Sequence, residues 1–427
     1  MEIKLSYGKN GLMVNLPDYT KVIEPQFLPA LPDQHGALKD AIRNPISTPP
    51  LRQSVVLGQR IGISVCDITR PIPTNVILSV LLAELEHIPD EDITIFIATG
   101  THRSNDKSEL DSMLGQTVTS RGYNIINHDA FDKASLSRVG TTKNGIPVFI
   151  NSDWIKSDFK ITIGFVEPHF FAGFSGGPKM VAPGLAGFET IMHLHNSDMI
   201  AHPNSTWAIT EGNPIHDTIR EIANIEPVDF SLDVTLNKNK GITSVYAGNM
   251  FKVHKACCDF SKSTSTVKVD HKFDIVITTN SGYPLDMNLY QAVKGMSAAS
   301  SVVATGGSII CAAECSDGIP EHGNYGNILT SASSPDELLE LINNPDYNCH
   351  DQWQVQIQAQ IQSKATVYVK SDYLTHSQIA NSHLHPIDDI EETILKLCQD
   401  KPGSSICVLP EGPQTIPYIK QPVSFCS

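Results

Sequence analysis

The sequence predicts an α/β protein of two domains, each built on a mainly parallel sheet, with a ligand cleft between the domains. Three features carry that expectation. Short β-rich runs alternate with helical patterns along the chain, a polar tract near residue 268 separates two such series, and polar side chains gather just past the carboxyl ends of the runs. At 427 residues, with 41% hydrophobic and 18% charged side chains, the chain has the length and composition for more than one globular core.

The N-terminal MEIKLSYGKNGLMVNLP alternates like a strand and lacks the apolar core of a signal peptide. IGISVC (61–66) is a strand, followed by DITRPIP and by a helical pattern over 74–88. DITIFIA (92–98) is the next strand; TGTHRS and a helix near 105–114 come after it. KITIGF (160–165) is the third strand and runs straight into EPHFFAGFSGGPKMVAPGLAG (167–187). A second series comprises FDIVITT (273–279), GSIICAA (307–313), ATVYVK (365–370) and SICVLP (405–410), separated by helical stretches near 288–299, 335–343 and 389–399. SKSTSTVKVDHK (261–272) reads as a linker, which sets the expected domains at 1–268 and 269–427.

Composition excludes several function classes. A formal charge of −15 argues against nucleic acid or an anionic membrane surface as partner. No apolar run approaches the ~20 residues of a membrane span. Nine cysteines without a CxxC pair suit scattered thiols in a reducing compartment, so a cytoplasmic location is expected.

The segment 167–187 holds five glycines and three prolines in 21 residues. Neither a helix nor a strand tolerates that density, so it is a shaped loop whose backbone can approach a ligand closely. Phe170, Phe171, Phe174, Met180 and Val181 are too apolar for a merely solvated turn. Other cofactor signatures are missing: no G-x-G-x-x-G follows a first strand, the glycine loop lacks the Gly-Lys-Ser/Thr ending of a phosphate loop, and no zinc-type cysteine pattern occurs.

The polar clusters past four strands mark the expected cleft: Asp67, Thr69 and Arg70; Thr99 to Arg103; Glu167, His169 and the glycine loop; then Asn280, Gly282 and Tyr283. His102 and His169 each lie just past a strand and together suit general acid–base work near neutral pH, against a structural role for either taken singly. His193 and His195 are two apart, so on a helix they diverge and only one can serve as a ligand. The histidines of SHLHP (382–386) have no chemical surroundings and read as structural. Lys179 in the glycine loop can clamp phosphate or act as a nucleophile. Gln291 and Lys294, three apart in YQAVKGM (290–296), point the same way and with Arg70 can bind a carboxylate, the alternative being a solvated helix lysine. These residues define an enzyme without defining its reaction.

DITRPIP, ATGTHR (98–103), EPHFFAGFSGGPKMVAPG, TIMHLH (190–195), NSGYPLD (280–286), YQAVKGM and DQW (351–353) occur in an order that resembles the nickel-pincer-nucleotide lactate racemase family. The resemblance implies an isomerase acting on a small-molecule 2-hydroxy acid, lactate above all. Its cofactor would be a pyridinium mononucleotide (pyridinium-3-thioamide-5-thiocarboxylic acid) carrying nickel, loaded by cofactor-synthesis enzymes. It implies His195 as the nickel ligand and Lys179 as the covalent tether. Asp67, Thr69, Ser175, Gly176 and Gly177 would lie near the nucleotide, His102 and His169 would form the acid–base pair, and Arg70, Gln291, Lys294, Tyr290, Phe171 and Trp353 would surround the substrate. On this reading 1–268 is the cofactor-binding domain. Two rivals accompany it: a racemase or epimerase of another 2-hydroxy acid, malate-like or a sugar acid, and a non-catalytic nickel- or nucleotide-binding protein.

Overall fold

The computed structural model describes residues 1–321 and 323–419. The chain forms two compact units, one of Phe27–His195 with His202–Thr264, the other of Met1–Gln26, Asn196–Ala201 and Ser265–Ser427.

The first unit is built on a six-stranded sheet in the order Ile242–Gly248, Phe230–Leu236, Phe159–Phe165, Ile61–Cys66, Ile93–Ala98, Asn124–Asn127. All neighbours are parallel except the antiparallel pair at the Ile242–Gly248 edge. Every residue of Ile61–Cys66 is buried, as a continuous apolar run requires of a central strand covered on both faces. Ile63 pairs in register with Ile95 and Ile161, and all three are fully buried. Each such side chain contributes about 1.5–3 kcal/mol of transfer free energy. From Ile61–Cys66 the chain first adds strands on one side, at 93 and 124, and then on the other, at 159 and 230. The switch between 61–66 and 159–165 is where ligands bind in open sheets.

The second unit carries a six-stranded, wholly parallel sheet: His385–Ile387, Thr366–Lys370, Val303–Ala312, Phe273–Thr279, Ile406–Leu409, Lys21–Val22. Helices Leu289–Ser300, Pro335–Ile342 and Ile390–Asp400 stand where the second series of helical patterns predicts them. The α/β class and the mainly parallel sheets expected from sequence are present.

Three expectations change. The N-terminal residues were expected within a domain 1–268, but Met1–Gln26 joins the C-terminal unit because Lys21–Val22 pairs with Cys407 and Val408. The alternating N-terminus is a hairpin, Glu2–Leu5 against Leu12–Asn15, since Gly8 (φ +48°) and Gly11 (φ +77°) turn the chain where other residues resist that conformation. The expected linker 261–272 is the end of helix Met250–Ser265 and the strand Thr266–Val269, which pairs with Ile416–Ile419. Its Ser/Thr/Lys content reflects one solvated helix face rather than an unstructured tract.

The eight cysteines among the described residues are free. No helix among those residues is long and apolar enough to cross a membrane.

Candidate active site

In the first unit, the loops after adjacent strands start level with one another because Cys66 pairs with Ala98. That register brings Asp67 beside His102. Pro71 and Pro73 then forbid the strand to continue, and helix Thr74–Glu84 begins after Pro73. The His102 Nδ1 lies 2.6 Å from Asp67 Oδ2. Asp67 is 4% exposed and the His102 side chain 47%. Burial alone would raise the Asp67 carboxyl, but the His102 ring, the Thr69 hydroxyl and Arg70 together hold it below its ordinary value. Thr69 Oγ1 donates to Asp67 Oδ1 at 2.6 Å. With Asp67 ionised, His102 Nδ1 is the proton donor to it, and the lone pair of the neutral ring sits on Nε2.

The third strand, Phe159–Phe165, pairs with Ile61–Cys66 on the other side, and Arg70 Nη1 meets Glu167 Oε1 at 3.3 Å. Glu167 takes one of the five N–H donors of the Arg70 guanidinium. Beyond it, Pro168–His169 pairs with Gly173–Phe174 in a miniature hairpin. His169 is 9% exposed, and its Nδ1 accepts the Ala172 N–H at 3.3 Å. The neutral ring therefore carries its proton on Nε2, the opposite tautomer to His102.

Phe171 is the hub of the loop. Its ring centroid lies 4.5 Å from that of His169 and 5.2 Å from that of His195, both edge-on, and Lys179 Nζ lies 5.9 Å from the same ring. His195 ends helix Phe188–Leu194 as its C-cap. It is buried and its Nδ1 donates to the Ile191 carbonyl at 2.7 Å, whereas His193 is exposed. Gly176 (φ +73°) and Gly177 (φ +50°) lead into the 3₁₀ turn Gly177–Met180 that carries Lys179. A Cβ on Gly177 would meet the His254 ring at 2.4 Å, so only glycine fits there. The Ser175 hydroxyl closes the turn internally: it donates to the Phe165 carbonyl at 2.7 Å and accepts the Glu167 N–H at 2.9 Å.

The second unit carries the remaining sequence-predicted residues. Helix Leu289–Ser300 is capped by Asn288, whose Oδ1 accepts the Gln291 N–H at 3.0 Å. It lies close over strand Phe273–Thr279 because a Cβ on Gly295 would sit 2.0 Å from the Thr279 carbonyl oxygen. On it, Lys294 Nζ donates to Gln291 Oε1 at 2.7 Å. Trp353, buried at the start of helix Gln352–Gln362, donates from Nε1 to the Tyr290 hydroxyl at 3.1 Å.

Residues 7–208 match the lactate racemase N-terminal domain model, and residues 268–416 match the lactate racemase C-terminal domain model. A lactate racemase of Thermoanaerobacterium thermosaccharolyticum is 32% identical over 97% of this chain and 98% of its own. The chain belongs to the lactate racemase family. A second member, the lactate racemase of Lactiplantibacillus plantarum, is 36% identical over 89% of this chain and 90% of its own. The structure of the lactate racemase apoprotein from T. thermosaccharolyticum superposes with a TM-score of 0.91 at 31% identity, covering 99% of this chain and all of that one. A Thermotoga maritima protein of 19% identity shares the fold at a TM-score of 0.72, over 92% of this chain and all of its own. Racemases are isomerases, so the family places this chain in that enzyme class.

Sequence reasoning missed the polar side chains packed beneath the glycine loop: Asn213, His216, Asp233 and His254, all buried. The one legible signal was Asp233 inside the apolar run FSLDVTL (230–236), a buried polar residue that needs a reason. Its Oδ1 accepts the Gly177 N–H at 3.1 Å, and its Oδ2 has no hydrogen-bond partner among the described residues. Burial pushes the Asp233 carboxyl up to about 7 against the pull of the Gly177 amide. Burial, with the charges of His254, Arg220 and Lys179, pushes His216 down to about 3; burial, with the charges of Lys179 and Arg220, pushes His254 down to about 4.

The signs of these shifts predict a stability profile. The histidines' contribution is full above their ordinary value near 6.5 and is lost as pH falls toward 4 and 3. Asp233 contributes below its ordinary value near 4, and that contribution is lost as pH rises through about 7. Asp233→Asn removes only the second limb. The melting temperature of D233N relative to the unsubstituted protein is therefore expected to rise between pH 5 and pH 8; a constant difference would refute the assignment.

Proposed function

We propose that this chain is a lactate racemase that interconverts D- and L-lactate by proton-coupled hydride transfer with a nickel-pincer nucleotide. The observation that carries the proposal is the opposed protonation of two histidines in one unit: His102 offers a lone pair at Nε2, and His169 offers a proton at Nε2. One neutral base and one neutral acid are what a reversible oxidation of a hydroxyl to a carbonyl and its reduction require. A carrier or storage protein needs neither.

The residues fit the cofactor. The positive-φ turn at Gly176 and Gly177 leads into the 3₁₀ turn that carries Lys179, the residue available for a thioamide tether. His195 donates from Nδ1 to a backbone carbonyl, the arrangement that sets an imidazole's Nε2 lone pair toward a metal. When bound, the cofactor supplies the two-electron chemistry that removes and returns the α-hydrogen.

The side chains handle the protons and the carboxylate. His102 Nε2 accepts the hydroxyl proton of one enantiomer, the Asp67 carboxylate stabilising the imidazolium. His169 delivers its Nε2 proton to the carbonyl oxygen when the opposite enantiomer forms and regains one from solvent as His102 releases its extra proton to solvent; the roles reverse in the return direction. In the same unit as both histidines, Arg70 holds the substrate carboxylate so that the planar keto acid is retained. In this scheme the unit of Phe27–His195 with His202–Thr264 binds the cofactor, and the cofactor-synthesis enzymes are the partners that load it. The free thiols suit a cytoplasmic setting.

His195→Ala is expected to lose most bound nickel with the fold intact, while His193→Ala keeps it; metal analysis of the two purified variants decides, and the reverse order would move the ligand to His193. Phe171 suits a methyl or short alkyl group, and the Glu167 carboxylate beside Arg70 disfavours a second anionic group. Assayed against enantiopure acids, loaded protein is expected to show higher kcat/KM for lactate or 2-hydroxybutyrate than for malate or gluconate. A preference for malate or gluconate would select the rival substrate class.

A further inference from the structure

Three buried side chains with no part in the proton transfers each grip a different peptide group of the glycine loop. His216 Nδ1 donates to the Ala172 carbonyl at 3.1 Å, His254 Nε2 donates to the Ser175 carbonyl at 2.9 Å, and Asp233 Oδ1 accepts the Gly177 N–H at 3.1 Å. They come from separate elements: helix Pro214–Ile225, helix Met250–Ser265 and strand Phe230–Leu236. The two rings stack 5.4 Å apart, 13° from parallel. Asn213 adds a fourth grip, donating from Nδ2 to the Phe171 carbonyl at 2.8 Å.

Two glycines make the contacts possible. A Cβ on Gly164 would lie 2.1 Å from Asp233 Oδ1, and one on Gly177 would overlap the His254 ring. Over 171–177 the only sheet pairing is that of Gly173–Phe174 with Pro168–His169, so these side chains supply partners to peptide groups that regular structure leaves over. Removing one leaves a buried peptide group unpaired, which costs more than the bond itself contributes.

We infer that Asp233, His254 and His216 are positioning residues of the racemase, fixing the backbone of 172–177 so that His169 at one end and Lys179 at the other keep their places around Phe171. Asp233 acts through the Gly177 amide alone, as an acceptor. The functional half of this inference rests on the reading of His169 and Lys179 given above.

The test combines Asp233→Ala, Asp233→Asn and Gly164→Ala with amide exchange on the cofactor-free chain. D233A and G164A are expected to speed exchange of peptides spanning 171–180 at least about tenfold, while strand Ile61–Cys66 keeps its protection. D233N retains an acceptor oxygen and is expected to stay within about twofold of the unsubstituted protein. After co-expression with the cofactor-synthesis enzymes, intact mass is expected to show the Lys179 adduct on the unsubstituted chain and D233N, and a reduced fraction on D233A. Loop exchange unchanged in D233A, or D233N as exposed as D233A, would overturn the inference. Should D233A not fold, G164A compared with D233N decides in its place, and loop exchange alike in the two would overturn the inference. An active protein with no adduct would overturn the tether reading while leaving the exchange result to judge the positioning role.

Discussion

His102→Ala and His169→Ala are each expected to lower kcat for racemisation by about 10²–10⁴-fold in both directions. A racemase must treat two mirror-related substrates, so neither histidine is dispensable to either direction: the group that takes the proton from one enantiomer returns it on the way back. The two rings are set up differently. His102 is half-exposed and hydrogen-bonded to a carboxylate, whereas His169 is buried against Phe170 and Phe171 and accepts a backbone N–H. Losing His102 removes the group that begins as base, and losing His169 removes the group that begins as acid. Rates measured from enantiopure D- and L-lactate, with bound cofactor quantified separately, check this. Near-normal turnover by either variant would end the two-histidine mechanism.

Asp67→Asn is expected to have an effect of similar scale, about 10²–10⁴-fold in kcat with a much smaller change in KM. The substitution keeps the volume of the side chain and removes its charge. An asparagine amide turned toward the ring would donate to His102 Nδ1 and push the proton to Nε2, the tautomer that cannot act as base. The Thr69 bond to Asp67 Oδ1 survives the change, so the loop keeps its shape and the loss falls on proton transfer. A pH–rate profile separates the cases: with Asp67 gone, the imidazolium formed during turnover loses its counter-charge and the acidic limb moves to lower pH. A D67N variant that kept its rate would reduce Asp67 to a structural cap.

The parallel sheets and their order of helices were legible because the buried strands are short, apolar and rich in Ile and Val, with helical periodicity between them. The site was legible where chemistry sits just past a strand end, as at Asp67, His102 and His169. What escaped was whatever depends on contacts distant in sequence. Nothing local in KVIE or TVKV shows that each finds a parallel partner far along the chain, at 407–408 and 416–419. Asp233, His216 and His254 lie 39 to 77 residues beyond Gly177, in the loop they support, and their roles come from burial, which composition does not encode. Arg70 read as a carboxylate ligand, and its pairing with Glu167 appears only when neighbouring strands bring two loops together.

The discontinuous C-terminal unit has a consequence during synthesis. Phe27–Thr264, which holds both histidines, Lys179 and their supporting shell, leaves the ribosome with its six-stranded sheet complete. The N-terminal hairpin and strand cannot yet settle. Ser6 donates to Glu411 across 405 residues, and Lys21–Val22 waits for Cys407 and Val408. At roughly 5–20 residues per second, that wait lasts roughly 20–80 s. Meanwhile Leu5, Tyr7, Val14 and Leu16, all buried in the finished unit, have no core to enter. Chains cut short before Ile406 therefore keep one folded unit and trail an apolar leader with open strand edges, the kind of segment that pairs with its neighbours instead.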